Sequence, residues 1–139
     1  MSPRSITAEP IDVAELLAEV QHPGCGGTAV FIGSVRRGPE DGPVVAIDYS
    51  AYEAMAADEF DRILRETEAR WPGATCRGQH RIGRVKAGEA SVAVVVATPH
   101  RAEAFEACRH VIDEVKRRLP IWKKELLDDG TQRWREGEG

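Results

Sequence analysis

Residues 91–98, SVAVVVAT, are an almost unbroken apolar run, and that run constrains the fold more than any other feature. A strand with apolar side chains on both alternating faces must be covered on both. It therefore belongs in the middle of a sheet, with elements packed on either side. The residues that follow supply one cover. Phe105, Cys108, Ile112, Val115 and Leu119 recur at alternating steps of three and four, the spacing of one helical stripe, so the sequence predicts a helix from about 99 to 118. Thr98 and Pro99 supply its opening, as an N-cap candidate and a proline at the first helical position. Pro120 stops it.

The rest of the chain alternates strand and helix signals without strict βαβ order, which points to an α+β fold. Asp12 followed by Glu15 opens a helix predicted over 12–20, with Leu16, Leu17 and Val20 on one face. The punctuators HPGCGG (22–27) end it, and TAVFIGSV (28–35) reads as a buried strand. RRGPEDGP (36–43) is a loop by composition. VVAIDYSAY (44–52) resumes strand character, with Val45, Ile47 and Tyr49 on one face. From Glu53 to Arg70 the positions Ala56, Phe60, Ile63, Leu64 and Thr67 mark a helix that Trp71-Pro72-Gly73 terminates. ATCRGQHRIGRV (74–85) reads as one strand weakened by glycines, and residues 86–89 as a turn. The organisation expected is one domain over 1–139, with a core over about 5–127 and a polar C-terminal tail over 128–139.

Composition removes several function classes. Nineteen Lys and Arg against 23 Asp and Glu give a net charge of −4, the wrong sign for a general nucleic-acid coat. Aromatic residues make up 6% of the chain, too few for a single-strand stacking platform. Cys25, Cys76 and Cys108 form no CxxC motif and no evident disulfide framework, and the four histidines have no metal-ligand spacing. GCGG (24–27) is too short for a phosphate loop or a dinucleotide fingerprint. No apolar run approaches the ~20 residues of a membrane span. The opening MSPRSITAEPIDVAELL lacks the apolar centre of a signal peptide. A cytoplasmic chain without membrane contact is expected.

Four basic features invite a chemical reading. His100 and Arg101 sit at a helix N-terminus, where free N–H groups and the positive end of the helix dipole favour anions. They are either a solvated pair or a pair held there by a phosphate or carboxylate. Lys116, Arg117 and Arg118 fall in the last turn of that helix, where cations complement the dipole. Lys116, one residue after Val115, borders the buried stripe, and partial desolvation there would make it a usable proton carrier or nucleophile. Pro120-Ile121-Trp122 anchors Lys123, Lys124 and Glu125; the segment is either an ordinary surface cluster or a held basic site. Arg36 and Arg37 follow a buried strand and open a glycine-rich loop, a common binding-site layout. His80 reads as a packed, hydrogen-bonded histidine.

Taken together, FIGSVR (31–36), IDYSAYEAMA (47–56), HRIG (80–83) and TPHR (98–101), followed by VKRRLPIWKKE (115–125) and a later tryptophan, resemble the large, catalytic subunit of molybdopterin synthase over about residues 5–135. The resemblance implies an α/β-hammerhead-like fold with a mixed β-sheet packed by helices, and a homodimer. It further implies a small ubiquitin-like sulfur-carrier subunit at each end, completing a heterotetramer. The carrier's C-terminal Gly-Gly thiocarboxylate enters a pocket, and sulfur passes to cyclic pyranopterin monophosphate to form the molybdopterin dithiolene. No metal, cofactor or nucleotide is implied in this step. On the matching positions, Lys116 and Lys123 are the implied catalytic residues. Ser34, Val35, Arg36, His100, Arg101, Lys124 and Glu125 join them as substrate-binding residues, drawn from both protomers. Ser50 stands where many members carry a glutamate. The rival reading from a different class is a non-catalytic adaptor that binds an anion or a carrier tail in the same basic pocket.

Overall fold

The computed structural model describes residues 4–38 and 42–135. Residues 39–41 of the expected loop and 136–139 of the expected tail lie outside them. Two four-stranded sheets and three helices build the described part of the chain. In order, they are β1 (Ile6–Thr7), α1 (Val13–Val20), β2 (Gly27–Ser34), β3 (Val44–Ala51), α2 (Glu53–Arg70), β4 (Thr75–Arg81), β5 (Gly83–Lys86), β6 (Ala90–Thr98), α3 (Arg101–Arg118), β7 (Ile121–Leu127) and β8 (Gln132–Arg135). The first sheet runs β1-β4-β6-β2 and is mixed, since β1 lies parallel to β4 while the other pairs are antiparallel. The second runs β5-β3-β7-β8 and is antiparallel throughout.

The apolar run of β6 does what its composition requires. Val92, Val94 and Val96 face α2 and α3, packing with Phe60, Ile63, Ala107, Cys108, Val111 and Val115. Ala93, Val95 and Ala97 face α1, packing with Leu16 and Val20. Helix α1 is capped as its sequence suggests: Glu15 N donates to Asp12 Oδ1 at 3.1 Å. The second sheet has a smaller core of its own, Val35, Val44, Ile47, Tyr49 and Val85.

Several expectations need correction. Residues 74–85 are two strands in different sheets, because the chain turns at Gly83, whose φ of +85° only glycine adopts readily. Helix α3 begins at Arg101 with His100 as its N-cap; Thr98 ends β6 and its hydroxyl donates to the His100 carbonyl. Its buried stripe is Ala104, Ala107, Cys108, Val111, Ile112 and Val115, whereas Phe105 is 69% exposed. The stretch expected to be a polar tail carries β8, paired with β7.

Candidate active site

A cleft of about 310 Å³ opens between the end of β2, the second sheet and the last turn of α3. Each wall follows from local sequence. Pro120 ends α3 and sends the chain back as β7, so Lys116 from the helix and Lys123 from the strand face the same space. Ser34, Val35 and Arg36 enter from the end of β2, and Ile47 and Tyr49 form the floor. The strand register decides which side chains of β7 take part. Lys123 pairs with Tyr49 and Glu125 with Ile47, so both point to the cleft face and Lys124 points to the other.

Two groups beneath the lysines shape the electrostatics. His80 is buried, with its ring edge-on to Tyr49 at 5.2 Å between centroids. Its Nδ1–H donates to the Arg81 carbonyl at 2.8 Å. Burial, with the nearby charges of Lys116 and Lys123 adding to it, pushes its pKa down to about 4. His80 is therefore a neutral imidazole at neutral pH. A void of about 40 Å³ separates it from the two lysines and is closed by Val115, Leu119 and Ile121. Burial also raises the Tyr49 phenol, against the effect of its hydrogen bond with Ser91.

Glu125 is 2% exposed, and its carboxylate holds two guanidinium groups from β8: Arg133 Nε on Oε1, and Arg135 Nη1 on Oε2 at 2.7 Å. Burial alone would raise its pKa; the two arginine hydrogen bonds outweigh that and hold the carboxyl below its usual range. Arg135 thereby becomes part of the cleft wall. Among the described residues no group of three or more His, Cys, Asp and Glu is placed to hold a metal ion, and no helix is long and apolar enough to cross a membrane.

The structure thus brings together Ser34, Val35, Arg36, Lys116, Lys123 and Glu125, and leaves three expected residues elsewhere. Lys124 lies over the Trp134 ring, 5.0 Å from its centroid, on the opposite face. His100 and Arg101 start α3 while Lys116 is in its last turn, a helix length of about 22 Å at 1.5 Å per residue. Both are exposed beside Gly26 and Gly27; Gly26 N donates to the Pro99 carbonyl at 3.1 Å. The terminal cluster of α3 also divides. Arg117 binds Glu114, and Arg118 binds Glu59, Glu66 and Glu114, tying α3 to α2. Only Lys116 of the three lines the cleft. Arg135 escaped the sequence reading; its signal is the alternation Arg133-Trp134-Arg135 opposite Lys123-Lys124-Glu125.

A larger groove of about 720 Å³ opens between α1, α2 and β4. Arg4, Arg65 and Arg77 line it together with Glu53, Asp61 and Glu68, so it offers an anion little net attraction.

Residues 6–118 match the family model described as MoaE protein. The chain belongs to the MoaE family. A molybdopterin synthase catalytic subunit of Pyrococcus abyssi is 41% identical over 130 residues, covering 94% of this chain and 87% of the relative. One of Nostoc sp. is 40% identical over 131 residues, covering 94% and 79%. Among solved structures, molybdopterin synthase from Staphylococcus aureus superposes with a TM-score of 0.90 at 31% identity, over 95% of this chain and 96% of that one. A chain in a Helicobacter pylori complex of subunits 1 and 2 of molybdopterin-converting factor shares the fold, with a TM-score of 0.75 at 24% identity over 95% and 89%. The cleft and β7 sit partly or wholly beyond the matched segment: this MoaE chain completes its basic cluster with residues 121–135, after the family match ends at 118.

Proposed function

We propose that this chain is the catalytic subunit of a cytoplasmic molybdopterin synthase, a sulfurtransferase. It moves sulfur from the C-terminal thiocarboxylate of a small carrier protein to cyclic pyranopterin monophosphate. The observation that carries the reading is the convergence of Lys116, Lys123 and Arg36 on one cleft. The names of its relatives, molybdopterin synthase catalytic subunits, support the enzyme class, and the donor and acceptor are those the sequence resemblance implies.

The reaction asks an acidic protein to bring two anions together. A phosphorylated pterin and a thiocarboxylate repel each other in water, and fixed cations aimed at both offset that repulsion and orient them. Lys116, at the end of α3 above neutral His80, is the central group. It serves as general acid and base for sulfur addition and loss of water, or holds the carrier's terminal carbonyl covalently or by a hydrogen bond. Lys123, across the cleft, stabilises the negative charge that develops. Arg36 and the β2 end seat the substrate.

His100 and Arg101 lie too far from Lys116 to serve the same cleft, so they serve the cleft of a second copy. Strand β2 is an edge of its sheet, and Val30, Phe31 and Ile32 on it are 43%, 38% and 48% exposed. An apolar edge of this kind suits a chain-to-chain contact. In this reading the complete assembly is a homodimer with a carrier bound at each cleft.

The test is reconstitution of the purified chain with thiocarboxylated carrier and cyclic pyranopterin monophosphate, with molybdopterin as the readout. Product formation supports the proposal. Tight carrier binding without product, under conditions where a known synthase turns over, refutes it in favour of the adaptor.

A further inference from the structure

We propose that Arg135 is an additional oxyanion-binding residue of the cleft and that the buried Glu125 is its positioning residue rather than a group that touches substrate. The inference rests on the functional reading above and deepens it.

Three observations support it. First, register: Lys123 pairs with Arg135 and Glu125 with Arg133 across β7 and β8. The two arginines therefore leave the sheet on the same side as Lys123, where only Arg135 of the two reaches the cleft wall, while Trp134 takes the opposite side with Lys124. Second, Glu125 is 2% exposed and each of its oxygens accepts from a guanidinium. A carboxylate so enclosed has little left to offer a ligand, and its charge would repel an anionic one. Its evident effect is to fix where Arg135 points. Third, the Arg135 side chain remains 38% exposed at the cleft wall. A guanidinium carries five donors in a planar fork; one of them goes to Glu125 through Nη1.

Lys123 and Arg135 are also directly opposed cross-strand cations, an arrangement that is unfavourable without an anion nearby. Glu125 is the resident anion on that face. A phosphate or thiocarboxylate oxygen in the cleft is the second, and the guanidinium fork is the geometry that holds either.

The experiment measures the KM of the pyranopterin at saturating carrier, and the KM of the carrier at saturating pyranopterin, for the complete synthase. Arg135→Ala is expected to raise one of the two by roughly tenfold or more, and which one rises tells whether the phosphate or the thiocarboxylate is held. Arg135→Lys is expected to recover part of the loss. Arg133→Ala removes a partner of the same carboxylate without removing a cleft residue, so its effect is expected to be much smaller. Glu125→Gln should raise the same KM as Arg135→Ala, and the double variant should be no worse than Arg135→Ala alone, because one residue acts through the other. Unchanged KM values in Arg135→Ala, or equal effects of Arg133→Ala and Arg135→Ala, overturn the proposal. Binding of inorganic phosphate to the chain, followed by calorimetry, tests it separately from turnover. The same titration is made with a short Gly-Gly peptide thiocarboxylate; weaker binding of either anion by folded Arg135→Gln supports the proposal and equal binding of both overturns it, even if the wild-type chain makes no molybdopterin.

Discussion

Lys116 and Lys123 meet across one cleft from the two sides of a helix-to-strand reversal at Pro120. The proline that stops α3 also sets the separation of the two amines, since it forces the chain to leave the helix within one residue of Leu119 and to enter β7 at Ile121. Both lysines are half-buried. Their stems pack on Val115, Leu119 and Ile121 around the void above His80, which limits where the ammonium groups can go.

Replacing either lysine is therefore expected to damage chemistry far more than folding. Lys116→Ala and Lys123→Ala should each lower kcat by about a hundredfold or more, with a thermal midpoint close to wild type because neither amine is fully buried. Molybdopterin formation and a melting curve on the same preparations check this. Full activity in folded Lys116→Ala would remove that residue from the mechanism.

The distance between Arg101 and Lys116 along α3 leads to a complementation experiment. If each cleft takes Arg101 from the other copy, a mixture of Lys116→Ala and Arg101→Ala chains contains heterodimers with one intact site. After subunit exchange the mixture should regain about a quarter of wild-type activity, since half the dimers are mixed and half their sites are whole. Each variant alone should stay inactive. A mixture as inactive as its components would mean that the site is confined to one chain, and full activity of Arg101→Ala alone would place Arg101 outside it.

Much of the scaffold was readable because local pattern and tertiary burial agree. Every residue of the predicted α2 stripe, Ala56, Phe60, Ile63, Leu64 and Thr67, is buried, and Asp12 caps α1 as its spacing suggests. Pattern failed where partners are distant or exposed. Phe105 has the right helical spacing but faces outward. Strand β8 has no apolar alternation; charge pairing with Glu125 and the stacking of Lys124 on Trp134 hold it. For the same reason Arg36, Lys116 and Lys123 could be singled out from motifs and helix-end position, whereas Arg135 required the β7–β8 register. GCGG, which composition marks only as a break, lets β2 start against the first turn of α3: a Cβ on Gly27 would lie 3.0 Å from the Arg101 Cα.

His80 gives the fold an acid-sensitive component. Its pKa falls from 6.5 to about 4 on folding. Between those values the unfolded chain binds a proton that the native protein excludes, so stability is complete above about 6.5 and declines as the pH falls toward 4. The loss at pH 5 is about 2 kcal/mol on the basis of 1.36 kcal/mol per unit. Lys116 and Lys123 oppose protonation of the ring, the Arg81 carbonyl favours it, and Tyr49 meets the ring in an edge contact. Urea midpoints at pH 7 and pH 5 should separate widely for wild type and less for His80→Gln. The hydrogen bonds from Arg133 and Arg135 hold the neighbouring Glu125 carboxyl below its usual range. Equal separations in the two proteins would locate the acid sensitivity elsewhere.

Gly83 divides one sequence run between two sheets, and its substitution should reveal how much that division stabilises. Its φ is +85° and a Cβ there would meet nothing within 4 Å, so the cost of Gly83→Ala is purely conformational, about 1–2 kcal/mol. The thermal midpoint should drop by a few degrees. Gly83→Asn should lose less, since asparagine tolerates the left-handed region better than alanine. Gly83 pairs with Tyr49 on β3, so distortion here reaches the floor of the cleft, and activity below the melting transition should fall more in the alanine variant than in the asparagine one. Identical midpoints for all three proteins would show that the turn carries no strain and that the split into β4 and β5 is set by the sheets alone.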